Sequence, residues 1–226
     1  MLTEAEVNMK PYRCILFDLD GTLTDPAEGI FKCFRLGLSQ FGLSEPDDAK
    51  LHAVIGPPLF DSYTELYGLS SEQAHVAIAA YRADYEHDGC YLNRVYDGVP
   101  ALLARLKGAG LRLLTATSKP EKPTLMILEH FGLLPYFDFV AAASRDLSRS
   151  SKESVIEYAL QNLGGIPTEA LLMVGDRHYD LNGAAYHGID GAGVTYGYGT
   201  RDELSACPHV FLADTPAALG NYILKE

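Results

Sequence analysis

Short apolar runs alternate along this chain with stretches in which apolar residues recur every three or four positions. The run at 13–17 ends in Asp18, and a second at 111–115 opens with Leu111, Leu113 and Leu114. Runs at 137–142, 171–174 and 189–194 follow, with 209–212 a weaker sixth. Near-continuous apolar runs of this length read as strands buried on both faces. Between them, Val99, Leu102, Leu103 and Leu106 share one helical face, and Val155, Ile156, Ala159, Leu160 and Leu163 share another. The alternation predicts an α/β fold, a Rossmann-like parallel sheet with helices on both faces.

Residues 26–96 break the pattern, showing helical periodicities and no convincing strand. Ile30, Phe31, Phe34, Leu38 and Phe41 form one apolar face, and Ala74, Ala77, Ile78, Tyr81 and Tyr85 another. Two breaker-rich strings, Ser44-Glu45-Pro46-Asp47 and Ile55-Gly56-Pro57-Pro58, separate these helices. The expected organisation is a catalytic core of 1–25 and 97–226, with 26–96 an inserted all-helical cap over the carboxyl edge of the sheet. Tyr63, Tyr81 and Tyr85 fall at helical spacings and are expected in the interior of that cap rather than stacked on a ligand.

Composition narrows the class. With 47% hydrophobic and 21% charged residues the chain has material for a full core. A formal net charge of -12 repels nucleic-acid polymers, but leaves room for a small anion held by local cations and a metal. Cys14, Cys33, Cys90 and Cys207 form no C-x-x-C pair, and nothing suggests a disulfide framework or a zinc site. No apolar run approaches the length of a membrane span, and the acidic first eight residues lack a signal-peptide core. The expectation is a cytoplasmic protein with no membrane partner, in which Met9 is a candidate start alongside Met1.

In open parallel sheets ligands bind beyond the carboxyl ends of the strands, so the residues there carry the chemistry. The first run ends in Asp18-Leu19-Asp20-Gly21-Thr22, the second in Thr117-Ser118-Lys119, and the 171–174 run in Gly175-Asp176-Arg177-His178-Tyr179-Asp180. Lys152 begins the helical stretch before that run. Four carboxylates at one sheet edge call for a hard divalent cation, and Mg²⁺ suits one or two carboxylates plus a substrate phosphate. Lysine and hydroxyl donors beside it suit phosphoryl oxygens, and a carboxylate can attack phosphorus.

These segments resemble, in order and over most of the chain, the four motifs of the haloacid dehalogenase-like hydrolases. The resemblance implies Asp18 as nucleophile and Asp20 as general acid/base. It implies Thr117 as a phosphoryl ligand, with Gly21, Thr22 and Ser118 beside it, and Lys152 as the residue stabilising charge on nucleophile and phosphate. Asp176 and Asp180, with Asp18 and the backbone carbonyl of Asp20, are implied as the Mg²⁺ site. Thr24-Asp25-Pro26, Ile55-Gly56-Pro57-Pro58-Leu59 and Thr195-Tyr196-Gly197-Tyr198-Gly199 are similar to the branch containing phosphoglycolate phosphatases and 5′-nucleotidase-like proteins. The implied partner is a small phosphorylated metabolite, with Gly56 facing substrate from the cap.

Other readings compete at single positions. Arg149 could replace Lys152 at the phosphate; Lys119 is a second phosphate contact or a solvated lysine; His178 is a loop residue rather than a ligand of a metal that prefers oxygen. A dehalogenase does not require Asp20 or a metal. The phosphonate hydrolases of the family carry a cap lysine where Ala53-Val54-Ile55 stand, and the sugar phosphomutases a linker histidine absent from residues 25–30. A non-catalytic binding protein on the same fold is the rival from another class. The cap offers Arg82, Tyr63 and Tyr67 to either a phosphoglycolate carboxylate or a nucleotide base.

Overall fold

The structure is a computed structural model that describes residues 12–146 and 148–226. Met1 and Met9, the two candidate starts, lie outside the described residues.

The chain opens with β1 (Cys14–Phe17) and a two-residue strand β2 (Thr24–Asp25). A helical segment follows: α1 (Ala27–Ser39), α2 (Asp48–Leu51), α3 (Leu59–Asp61) and α4 (Ser71–Tyr85). β3 (Arg94–Val95) pairs antiparallel with β2. Then come α5 (Val99–Gly108), β4 (Arg112–Pro120), α6 (Glu121–His130), β5 (Phe139–Ala143) and α7 (Lys152–Gln161). The chain finishes with β6 (Leu171–Gly175), α8 (His178–Tyr186), β7 (Asp190–Val194), α9 (Arg201–Ser205), β8 (Phe211–Ala213) and α10 (Pro216–Leu224).

Six strands form one sheet in the order β5-β4-β1-β6-β7-β8, every pairing parallel. β1 sits at its centre, and the alternation of its side chains divides the core in two. Cys14 and Leu16 pack with Val155, Ile156 and Ala159 of α7 and Ala184 of α8. Ile15 and Phe17 belong to the opposite cluster, with Leu102, Leu103 and Leu106 of α5 and Leu219 of α10. Burial on both faces is why these strands carry no polar alternation.

Two differences from the sequence reading bear on the site. β4 does not end near Thr115 but runs to Pro120, with a register shift between Thr117 and Pro120. An irregularity of this kind turns side chains out of the regular pleat, here at Thr117, Ser118 and Lys119. The short ribbon β2–β3 also escaped detection, because two residues give no periodicity; it joins the ends of the helical segment.

Within that segment the expected faces are buried, apart from Phe41, which lies beyond α1 and is half-buried. Ile30, Phe31, Phe34 and Leu38 of α1 meet Ala74, Ala77, Ile78, Tyr81 and Tyr85 of α4. α4 is started by a capping box, the Ser70 hydroxyl accepting from the Gln73 N–H and the Gln73 side chain accepting from the Ser70 N–H. Tyr63 is 0% exposed, stacks on Phe34 at 4.1 Å and donates its hydroxyl to the Phe34 carbonyl. It therefore offers nothing to a ligand.

Candidate active site

Asp18 follows β1 directly, its N–H donating to the Val174 carbonyl of β6 at 2.9 Å. The chain then winds tightly around one carbonyl: the Leu19 oxygen accepts from the N–H groups of Thr22, Leu23 and Thr24. Gly21 closes the turn with φ +82°, and a side chain there would run into the Asp176 carboxylate. Both the left-handed backbone and the close approach demand glycine. Thr22 is buried and donates its hydroxyl to Asp176 Oδ1 at 3.2 Å.

Asp176 and Asp180 come from the β6–α8 junction. Asp180 Oδ2 accepts the Arg177 N–H at 3.0 Å, at the first turn of α8, where an acid is favoured by the helix dipole. Asp18, Asp176 and Asp180 each offer a carboxylate oxygen within 4.8 Å of the others. Lys152, the first residue of α7, reaches into this cluster rather than into solvent. Its side chain is 4% exposed, with Nζ 2.9 Å from Asp18, 2.6 Å from Asp180 and 2.9 Å from the Ala116 carbonyl to which it donates. Burial alone would lower its pKa, but Asp18 and Asp180 more than offset that and raise it. Arg149 points elsewhere, donating to the Ala142 carbonyl and covering the Tyr158 ring.

Three carboxylates against one ammonium leave two negative charges at this edge. Asp176 carries the least compensated of them: among the described residues its oxygens accept from neutral donors, the Thr22 hydroxyl and the Tyr198 N–H at 2.8 Å. Burial, then Asp180 and Asp18, push its carboxyl well above the usual range. Asp180 is raised too, by burial first. An all-oxygen donor set with two surplus negative charges fits one hard divalent cation such as Mg²⁺.

Asp20 stands apart from the cluster. Its carboxylate does not join the other three but meets Lys119, whose Nζ lies 2.5 Å from Oδ2. Burial raises the Asp20 carboxyl despite that partner. Thr117, the expected phosphoryl ligand, is buried beside them and accepts the Lys119 N–H on its hydroxyl at 3.2 Å. Ser118 is half-buried. Gly56, with φ +105°, lies by Arg177, whose Nη1 donates to the neighbouring Ile55 carbonyl at 3.1 Å. Arg177 and His178 both bind Glu203, so His178 is turned to a surface acid and not to the carboxylates.

The fold thus brings together a strand-end aspartate, a second one two residues on, a buried lysine and a pair of acids after β6. The model of the family described as haloacid dehalogenase-like hydrolase matches residues 15–194. The chain belongs to this family of hydrolases. The chain is 47% identical over 188 residues to a protein named tyrosine-protein kinase PtkA from Mycobacterium tuberculosis, a match covering 83% of this chain and 64% of that protein. It thus spans just under two thirds of the length of that relative. It is 42% identical over 207 residues to a 5′-nucleotidase from Pseudomonas aeruginosa, covering 91% of this chain and 93% of the relative. Among solved structures, a predicted phosphatase from Clostridium acetobutylicum matches with a TM-score of 0.90 and 42% identity, over 96% of this chain and 100% of that one.

Several residues of the site carried no chemical signal in the sequence. Tyr198 donates its N–H to Asp176 and its hydroxyl to Asp25, and Tyr196 donates to the Thr22 carbonyl at 3.1 Å. Gly197 and Gly199 pack so closely on Asp176 that a side chain at either would collide with it. The alternating Tyr and Gly after β7 were the available signal, visible only as a resemblance.

Proposed function

We propose that this hydrolase is a Mg²⁺-dependent phosphatase of small, soluble phosphate monoesters that works through an aspartyl-phosphate. The observation that carries the reading is the placement of Asp18 against Lys152, with Asp20 on a separate, buried partner. One carboxylate lies 2.9 Å from a lysine ammonium, where a nucleophile would be held. The other is pushed toward its protonated form, as a general acid needs.

The residues divide the reaction between them. An Asp18 oxygen bonds to phosphorus while the bond from phosphorus to the ester oxygen breaks, and Asp20 gives its proton to that leaving oxygen. Asp20, now a carboxylate, takes a proton from water as the water oxygen attacks phosphorus. The aspartyl–phosphate bond breaks, phosphate leaves and Asp18 is regenerated. Lys152 and the Thr117 hydroxyl hold negative charge on the phosphoryl oxygens. Asp18, Asp176, Asp180 and the Asp20 carbonyl would hold Mg²⁺, which when bound offsets the carboxylate charge and polarises the phosphoryl group.

The helical segment of residues 26–96 acts in this reading as a cap over the site, which restricts access to small esters. Two substrate classes suit such a space, phosphoglycolate and nucleoside 5′-monophosphates. Near full-length likeness to a 5′-nucleotidase favours the second. With Tyr63 buried, recognition falls to exposed groups such as Arg82 and to the Gly56 loop. The test is turnover of p-nitrophenyl phosphate with and without Mg²⁺, followed by a panel of phosphoglycolate, nucleoside monophosphates and sugar phosphates. Metal-dependent turnover is expected, with Asp18→Asn lowering kcat by about 10⁴-fold or more. No turnover of any monoester by metal-loaded protein would overturn the phosphatase reading; activity surviving in Asp18→Asn would overturn the nucleophile.

A further inference from the structure

The reaction as written uses Lys152 but gives no work to the second buried lysine. The Lys119 side chain is 6% exposed, and among the described residues its ion pair is with Asp20 rather than with Asp18, Asp176 or Asp180. Three contacts fix it instead. Its N–H is held by Thr117 Oγ1, its ammonium pairs with Asp20 Oδ2 at 2.5 Å, and that ammonium also lies 4.7 Å from the ring centroid of Tyr85. The register shift in β4 between Thr117 and Pro120 is where the chain departs from regular pairing to present it.

Two buried oxygens around Lys119 have no hydrogen-bond partner among the described residues, Asp20 Oδ1 and the Tyr85 hydroxyl. The asymmetry at Asp20 is the informative one. A buried carboxyl with one oxygen tied to a lysine can rotate little, and its other oxygen is the one left to exchange a proton. Tyr85 closes the arrangement from the far side. It stacks on Tyr81 at 5.2 Å in the last turns of α4, so the ring that covers the ammonium belongs to the helical segment while the lysine belongs to the core.

We propose that Lys119 is a positioning residue for Asp20, holding Oδ2 so that Oδ1 serves the leaving oxygen, and that Tyr85 makes this hold depend on the seating of α4. The proposal rests on the acid/base role given to Asp20 above. It also accounts for a lysine whose side chain is buried against Asp20 rather than solvated.

The distinguishing property of such a residue is its dependence on the leaving group. An activated aryl ester such as 2,4-dinitrophenyl phosphate departs without a proton, whereas an alkyl phosphate requires one. The comparison uses kcat/KM, which covers the steps up to departure of the leaving group. For Lys119→Met we expect a loss of about 100-fold on the best alkyl phosphate of the panel and less than about threefold on the dinitrophenyl ester. Lys119→Arg should recover part of the alkyl-ester loss. Tyr85→Leu, which leaves the ion pair itself intact, should show the same selectivity at about five- to tenfold. Equal losses on both esters, or no loss on either in the two variants, would overturn the positioning role. Wild-type protein that hydrolyses neither ester would instead remove the phosphatase reading beneath it.

Discussion

The carboxylate cluster around Lys152 and the pocket around Asp20 adjoin each other, and each is a buried acid–lysine assembly, yet they are built differently. The first draws on β1, α7 and the β6–α8 junction, all of them core elements, and its lysine meets three oxygens. The second draws on the end of β4 and on α4, and its lysine meets one carboxylate and one aromatic ring. The first also carries three carboxyl groups against one ammonium, whereas the second sets one carboxyl against one ammonium. A surplus of acids is what a cation site requires, and a buried carboxyl pushed toward its protonated form is what a proton donor requires. In the proposed reaction the two assemblies would separate binding of metal and phosphate from handling of the proton, and the second takes one of its groups, Tyr85, from the helical segment.

The strongest way to break this contrast is Lys152→Met. Asp18 and Asp180 would lose their cation in a dry setting, a cost of about 3–5 kcal/mol. For a chain of this size that corresponds to a fall in Tm of about 10 °C, alongside a loss of about 10³-fold in kcat. Added Mg²⁺ should recover part of the Tm and little of the rate. An unchanged melting curve would show that Lys152 does not hold the cluster together.

Asp176→Asn should move stability the other way. The amide can still accept the Tyr198 N–H and donate to the Thr22 hydroxyl, while a buried charge repelled by Asp18 and Asp180 is removed. A gain of about 1 kcal/mol, or about 3 °C in metal-free Tm, is expected near neutral pH, together with loss of stabilisation by Mg²⁺. The sign follows from the raised carboxyl: such a group costs stability as pH rises from its unfolded pKa toward its folded one, and the amide carries no such cost. A variant that melted lower than wild type without metal would contradict the surplus-charge account.

The smallest effect probes the other tie between core and helical segment, Arg177, which donates at once to Glu203 and to the Ile55 carbonyl. Burial would raise the Glu203 carboxyl, but the His178 N–H, Arg177 and the His178 ring bring it down to about 2 from an ordinary 4.5. A lowered pKa stabilises the fold above the unfolded value, and that contribution is lost as pH falls through the folded one. Glu203→Gln should therefore cost about 0.5 kcal/mol at pH 7, since the pair is partly open to solvent, and progressively less between about pH 4.5 and pH 2. Denaturant unfolding at pH 7 and pH 3 measures it; a cost that does not shrink with acid would remove the ionic explanation.

The parts of the molecule legible in the linear chain were those whose physics is local. Residues 13–17, 111–115 and 171–174 announced buried strands because most of their side chains are covered, and Asp18 and Asp176 were conspicuous because no other acid lies in those runs. Lys152 could be placed at a helix start by its neighbours, although its burial could not. What the chain in one dimension withheld was every pairing between distant residues. Lys119 finds Asp20 across 99 positions, Arg177 finds Ile55 across 122, and Tyr198 reaches Asp25 across 173. Local pattern determined the sheet, the helical insertion and the acids at the strand ends, because periodicity and strand termini are properties of neighbours. Only the tertiary structure decided which lysine serves which acid, because that choice depends on where the end of β4 and the last turns of α4 meet.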